Sequence, residues 1–413
     1  MTFPLHVSVD RLSSTDSQHI GQIIQQAVPS VAPALALCVW QDGQPVFDIH
    51  GGWIDPAAPG RPVHGEAMFD LASVSKLFTA TAFLGLVSEG SVALDDAVVS
   101  VLPEFGEGGA RRVDGGQEPL SRRLLPVPAD RRDWTVDPSV VTFRQLLSHT
   151  SGMAPWRSIF RDTGAPPPPP ARTDAQSSEA RRQAGIDAVL ASPFVAKPGA
   201  EVLYSDLGFM ALGESVARLS GAPLDEVIRR HISGPLELDS LGYLPIRSGL
   251  ALERIVPTSF DDDWRKRRCR GEVEDENAAG LGGIAGHAGL FASARDVARF
   301  GQAWLTRDAR LGLDIDLFVE ACTDQTPSMA AARGLGWQVQ GEGADYLAPF
   351  GPQSIGHSGF TGTSLVLDPS RDLVITLLTN RVFAGRSHDG IETLRVEIHE
   401  ALAGAFGHRS ERT

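Results

Sequence analysis

Two hairpin signals at opposite ends of the chain constrain the fold more than anything between them. Near the N-terminus, the apolar runs Ala34 to Trp40 and Val46 to Ile49 are separated by Gln41-Asp42-Gly43-Gln44, and Asp-Gly between apolar runs favours a tight antiparallel turn. Near the C-terminus, Thr363 to Leu367 and Leu373 to Leu378 flank Asp368-Pro369-Ser370-Arg371-Asp372, a turn-forming cluster that predicts a second hairpin. Each hairpin has a helix beside it. Ile20, Ile23, Ile24 and Ala27 share one helical face behind the candidate N-caps Ser14, Thr15 and Asp16, and Ile391, Leu394, Ile398 and Leu402 form a stripe near the chain's end. The economical architecture is α+β: one antiparallel sheet assembled from both termini, with both terminal helices on a single face. The middle of the chain is then an insertion. Residues 1–95 and 290–413 are expected to form a discontinuous sheet domain, and 96–289 a mostly helical one.

Helical patterns in the middle fall near Phe143 to Leu147, Asp206 to Leu219 and Arg295 to Leu305. Long loops are expected at 103–138, which mixes Gly, Arg, Asp and Pro without a hydrophobic period, and at 161–182. The latter contains the run Pro166 to Pro170, read as a stiff polyproline II spacer. The chain carries no internal repeat and no heptad array, and it sets no oligomeric state.

Charge narrows the partners. The 413 residues include 37 Lys plus Arg against 51 Asp plus Glu, a net charge of −14. Nucleic-acid grooves and anionic membrane surfaces need a basic face, so both are excluded as the main partner, and a small-molecule substrate fits better. Cys38, Cys269 and Cys322 are odd in number and widely spaced, which supports neither a disulfide framework nor a zinc knuckle. The histidines show no ligand spacing, so no metal site is expected. No basic leader with an apolar core and no run of roughly 18 apolar residues occurs, and a cytoplasmic location is expected.

The sharpest chemical signal is Phe69-Asp70-Leu71-Ala72-Ser73-Val74-Ser75-Lys76-Leu77-Phe78, followed by an apolar helix running to Gly90, a C′ candidate. Positions three apart on a helix are neighbours, so Ser73 and Lys76 can bring hydroxyl and amine together. Burial of that lysine in apolar surroundings should lower its pKa and let a neutral amine take the serine proton. The alternative is a polar first turn of a core helix, and Ser-x-x-Lys alone does not decide between them.

Three further segments do. Leu146-Leu147-Ser148-His149-Thr150-Ser151-Gly152, Tyr204-Ser205-Asp206-Leu207-Gly208-Phe209 and Gly356-His357-Ser358-Gly359-Phe360-Thr361-Gly362 follow in order. Together with Ser73 to Lys76, the set resembles the motifs of the serine β-lactamase and penicillin-binding-protein superfamily, over about residues 15 to 405. The branch it is most similar to holds class C β-lactamases, D-alanyl-D-alanine peptidases and β-lactamase-like esterases. The resemblance implies a cofactor-independent serine hydrolase with Ser73 as nucleophile, Lys76 as its proton partner and Tyr204 as general base and then acid. A phenol beside an ammonium is stabilised as phenolate, which suits that role. It further implies an oxyanion hole from the backbone N–H groups of Ser73 and Phe360, and substrate contacts at Asp206, His357, Ser358 and Gly359.

Two departures bear on substrate. His357 stands where the family often has Lys, replacing a fixed charge with a titratable imidazole. Asp206 stands where Asn is usual, and an ionised Asp cannot donate a hydrogen bond. Both favour ester or small D-amino-acid amide substrates over β-lactams. The glycine-rich stretch Gly280 to Gly289 resembles a pocket border and makes His287 a candidate substrate contact, with a structural histidine as the alternative; His149 reads as structural. Two competing readings remain: a weak class C-like β-lactamase, and a catalytically idle penicillin-binding-like scaffold or sensor.

Overall fold

A computed structural model describes residues 3–9, 11–170, 175–387 and 389–407. Seven strands form the main sheet: β1 (Leu5–Val9), β2 (Ala34–Gln41), β3 (Gln44–Gly52), β4 (Gln338–Val339), β5 (Ile355–Ser358), β6 (Ser364–Asp368) and β7 (Leu373–Thr379). Their order is β1-β3-β2-β7-β6-β5-β4, antiparallel throughout. The two predicted hairpins are β2–β3 and β6–β7. At the first, Asp42 and Gly43 take φ of 52° and 74°, the doubly left-handed turn that matches strand twist. The termini meet at the β2–β7 seam, where Leu377 faces Leu37 and Ile375 faces Val39. Edge strand β1, pairing with β3, was not foreseen.

The helices Ser14–Ala27 and Ile391–Ala405 pack on one sheet face over Leu35, Leu37, Val39, Ile49 and Ile375. The first is capped by Ser13, whose side chain accepts from the Asp16 N–H, rather than by the three residues nominated from sequence. On the opposite face, the helix Ala294–Leu305 lies against β2, β6 and β7. A Cβ on its Gly301 would stand 2.7 Å from a Val374 methyl, so the missing side chain is what lets helix and sheet approach this closely. From that face a continuous apolar core runs into the helical half, through Leu77, Phe78, Phe83, Phe143, Phe209 and Leu212.

In the helical half, Phe143–Leu147 begins with a capping box formed by Thr142 and Gln145, and Asp206–Ser220 is capped by Ser205. The segment 161–182 is not wholly loop: a helix spans Ala175–Leu190. Its buried apolar residues Ile186, Val189 and Leu190 lie in the C-terminal part, so its start carries no hydrophobic period. The Pro166 to Pro170 run is tied down, since Arg267 donates to Pro167 O at 3.0 Å while Glu272 holds the same guanidinium at 2.7 Å. Within 103–138, Arg111–Arg112 pairs with Thr135–Val136, and Arg111 donates to the carbonyls of Leu190 and Ser192 at 2.6 and 3.0 Å. No helix among the described residues is long and apolar enough to cross a membrane.

Candidate active site

Ser73 lies in a 3-10 turn, Ala72–Val74, that leads directly into the helix Ser75–Ser88. Eleven residues of this helix are buried, on every side, because it packs on the helices Asp206–Ser220 and Leu224–Ile228 and stacks Phe78 on Phe300 of the helix Ala294–Leu305. The turn is held from below. Asp70 accepts from the Ala72 N–H at 2.9 Å and the Glu274 N–H at 2.6 Å, which fixes Ala72 at a left-handed φ of 47°. The Thr361 hydroxyl donates to Asp70 O at 2.8 Å and the Thr363 hydroxyl to Leu71 O at 3.0 Å. The loop after β5 is thereby fastened to the nucleophile's turn.

Lys76 is fully buried. Its Nζ donates to Ser73 Oγ at 3.0 Å and to His287 O at 3.2 Å, and pairs with Asp206 Oδ1 at 2.7 Å. The lowered lysine pKa expected from burial is not what this environment gives. Burial does push it down, but Asp206 and Tyr204 push harder, and the net direction is up. Lys76 is an ammonium. Asp206 is accordingly turned to the lysine and not to substrate, because the opposite charge at 2.7 Å outcompetes any contact across the cleft.

The Tyr204 hydroxyl interacts with both Lys76 and Ser73. Here too the expected phenolate is corrected. Burial raises the phenol's pKa, Lys76 lowers it, Asp206 raises it again, and the result is a neutral hydroxyl. The second motif positions this tyrosine. His149 Nδ1 accepts from the Ser205 N–H at 3.0 Å, its carbonyl accepts from Leu203 N–H at 2.8 Å, and its ring lies 4.5 Å from that of Tyr204. Burial holds His149 far below the usual imidazole range, as an acceptor at Nδ1 requires.

Ser73 and Tyr204 open onto a cleft of about 800 Å³, also lined by His357, Ser358, Gly359, Phe360, Arg333, Arg381 and Arg395. A separate cavity of about 500 Å³ behind the helix Asp206–Ser220 includes none of these residues. After β5, the Gly359 N–H donates to Thr363 O at 2.8 Å and the Gly362 N–H to Gly359 O at 2.9 Å, a tight turn with Phe360 at its tip. A Cβ on Gly359 would meet Thr363 Oγ1 at 2.1 Å and Leu71 O at 2.7 Å, so the glycine keeps this turn against Ser73's turn.

His357 is not a substitute cation. Its pKa is lowered from 6.5 to about 3 by burial and by the charges of Lys76 and Arg333, although its Nδ1 lies 2.8 Å from Ser358 O. The positive charge in the cleft comes instead from Arg333, whose guanidinium lies 5.6 Å from the Tyr204 ring centroid, and from Arg381 and Arg395. These arginines were missed because no motif surrounds them in sequence. His287 does not reach the cleft: its imidazole is buried against Asp275 at 2.9 Å, and only its carbonyl touches the site, through Lys76. No group of three or more His, Cys, Asp or Glu among the described residues is arranged to hold a metal ion.

The profile of the Beta-lactamase family matches residues 20–400 of the sequence. The chain belongs to the beta-lactamase family. Its members are serine hydrolases of the penicillin-binding-protein-like superfamily, and this chain is one by fold and by family. It is 28% identical, over 91% of its length and 83% of the relative's, to a protein of Escherichia coli (strain K12) named "Putative D-alanyl-D-alanine carboxypeptidase". Among solved structures it resembles EstCE1, a hydrolase with promiscuous acyltransferase activity, at a TM-score of 0.67 and 19% identity, covering 95% of this chain and 100% of that one. A penicillin-binding protein homolog from Caulobacter crescentus gives a TM-score of 0.66 at 20% identity, covering 97% and 100%. At such identities these two likenesses concern the fold. The four segments that resemble the family's motifs bring Ser73 and Lys76, His149, Tyr204 and Asp206, and His357 to Gly359 into this one region, while His287 comes from the separate glycine-rich stretch.

Proposed function

We propose that this chain is an acyl-enzyme hydrolase acting through Ser73 on small esters or D-amino-acid amides. The observation that carries the reading is the convergence of the Ser73 hydroxyl, the Lys76 ammonium and the Tyr204 phenol at the wall of one open cleft. In this reading Ser73 Oγ attacks the substrate carbonyl, and the amides of Ser73 and Phe360 hold the developing oxyanion. Tyr204 protonates the leaving group. Water then releases the acyl group by the same steps in reverse order.

The arginines support a refinement. Arg333, Arg381 and Arg395 line the cleft, and guanidinium groups match carboxylates in geometry. That favours an amide substrate bearing a carboxylate, as a D-amino-acid peptidase would use, over a neutral ester, and it restores some room for β-lactams.

The test is hydrolysis of a short-chain p-nitrophenyl ester, a D-alanyl-D-alanine peptide and a chromogenic cephalosporin by wild type, Ser73→Ala, Lys76→Ala and Tyr204→Phe. Turnover of any one compound, lost in all three variants, is the expected result. A folded wild type that turns over none of them and takes up no fluorophosphonate at Ser73 would favour the idle scaffold instead.

A further inference from the structure

The proton that Ser73 loses on attack needs an acceptor, and the groups touching Ser73 are poorly equipped to be one. Lys76 is an ammonium among four oxygens: its Nζ donates to Ser73 Oγ at 3.0 Å and to His287 O at 3.2 Å, is ion-paired with Asp206 Oδ1 at 2.7 Å and interacts with the Tyr204 hydroxyl. It has no lone pair to offer. Tyr204 is a buried neutral phenol. His357 faces the cleft, but burial together with Lys76 and Arg333 makes it a very weak base. His149 already accepts from Ser205 N–H at Nδ1 and lies behind Tyr204. Among the described residues, the one carboxylate ion-paired with this set is Asp206, at the start of the helix Asp206–Ser220.

We propose that Asp206 is the terminal proton acceptor for Ser73, receiving through Lys76 the proton the serine gives up. The proposal rests on the reading of Ser73 as nucleophile. As the Oγ–C bond forms, an N–H bond of Lys76 breaks toward Asp206 Oδ1, 2.7 Å away, and the lone pair so freed on Nζ takes the proton of the breaking Ser73 O–H bond in the same step. The lysine ends as it began, an ammonium, Asp206 becomes a neutral acid, and the carbonyl π pair moves onto the oxygen held by the two amides. When the adduct collapses, the leaving oxygen or nitrogen takes the Tyr204 proton. Tyr204 is refilled from Lys76 and Lys76 from Asp206, so every proton returns. An Asn at this position could not accept, and the lysine itself would have to be deprotonated first.

The groups facing the pair are Tyr204, the Arg333 guanidinium over its ring, and the two discharged imidazoles His149 and His357. Two further carboxyls lie close by, Asp70 under the turn that carries Ser73 and Asp275 behind His287, so an acid limb is assigned to position 206 only by its loss in Asp206→Asn and its survival in Asp70→Asn.

The experiment is the pH profile of kcat/KM on whichever substrate wild type turns over, for wild type, Asp206→Asn, Asp206→Glu and Asp70→Asn, with Ser73→Ala alongside. Wild type should show an acid limb and a plateau through neutrality. Asp206→Asn should lose at least about 100-fold at pH 7 and lose the acid limb, with its rate rising about tenfold per pH unit as Lys76 deprotonates. Asp206→Glu should regain both the limb and most of the rate. A folded Asp206→Asn that keeps the wild-type limb, whatever its rate, would overturn the proposal, because the residue would then only position Lys76. If Asp206→Asn does not fold, an Asp206→Glu enzyme without an acid limb overturns it equally. Activity surviving in Ser73→Ala would sink the nucleophile reading itself, a separate outcome.

Discussion

On the two sides of Ser73 the protein treats buried charge in opposite ways. Toward the helical half, Lys76 is fully buried yet charged, because Asp206 stands 2.7 Å away. Toward the sheet, burial wins: His357 is discharged, and the Asp70 carboxyl is raised from 3.8 to about 7, burial outweighing two backbone N–H donors. All are buried ionisable groups of one site. What separates them is a touching partner of opposite charge, which decides whether desolvation or Coulomb attraction prevails.

The largest effect should come from breaking the paired side. Lys76→Met leaves Asp206 without its counter-charge, and removing one partner of a buried pair costs about 3–5 kcal/mol. Asp206 keeps some solvent contact, 19% of its side chain, so the lower end is the better expectation. Activity should fall by a factor on the order of 10³ or more. The double variant Lys76→Met with Asp206→Leu should regain most of the stability and none of the activity. Chemical denaturation of the three proteins checks this; a double variant no more stable than Lys76→Met would mean that the pair is not the source of the loss.

The backbone of the site could be read from sequence, but the charge of neither side could. The Ser73 to Lys76 spacing and the Asp42-Gly43 turn are local signals, and local geometry realised them. The seam between β2 and β7 followed from matching apolar runs at both ends. The charge states did not follow, because each is set by residues far apart in the chain. Lys76 takes its state from Asp206, and His357 from Lys76 and Arg333. The helix at Ala175–Leu190 stayed hidden for a related reason: its buried apolar residues Ile186, Val189 and Leu190 fall near its C-terminal end, and the polar sequence Gln176-Ser177-Ser178-Glu179 before them shows no period.

Asp70 sharpens the unpaired side. Its folded pKa lies above its ordinary value, so its protonation stabilises the fold fully below about pH 4, and that contribution is lost as pH rises through about 7. Asp70→Asn removes the titration and leaves one of the Ala72 and Glu274 N–H groups facing an amide donor. The wild type's advantage over Asp70→Asn should therefore be larger at pH 5 than at pH 8, by up to a few kcal/mol. Urea midpoints of both proteins at the two pH values measure it, and an advantage that grows with pH would show that Asp70 is ionised and paired.

A smaller effect is expected where the two sides are fastened together. Thr363→Val keeps the shape but removes the hydroxyl that donates to Leu71 O at 3.0 Å. Loss of one buried hydrogen bond costs about 1 kcal/mol of stability. The rate should suffer more than stability does, by about tenfold in kcat with little change in KM, because the Ser73 and Phe360 amides lose their fixed spacing. Equal losses in kcat and in unfolding free energy, with KM raised, would make the threonine merely structural.

The smallest effect belongs to His357, and it tests the contrast most directly. A histidine whose folded pKa is depressed from 6.5 to about 3 contributes stability that is present above 6.5 and lost as pH falls through that window. Between pH 7 and 8 it is neutral in folded and unfolded chains alike. His357→Asn can keep a donor toward Ser358 O in place of Nδ1, now 2.8 Å away, and carries no charge at any pH. Wild type and variant should therefore differ by less than about 1 kcal/mol at pH 7.5, while the variant gains on wild type as pH falls from 6.5 toward 4. A variant that instead loses ground at low pH would mean that an imidazolium is held in the cleft, and the charge facing substrate would then include the third motif as well as the arginines.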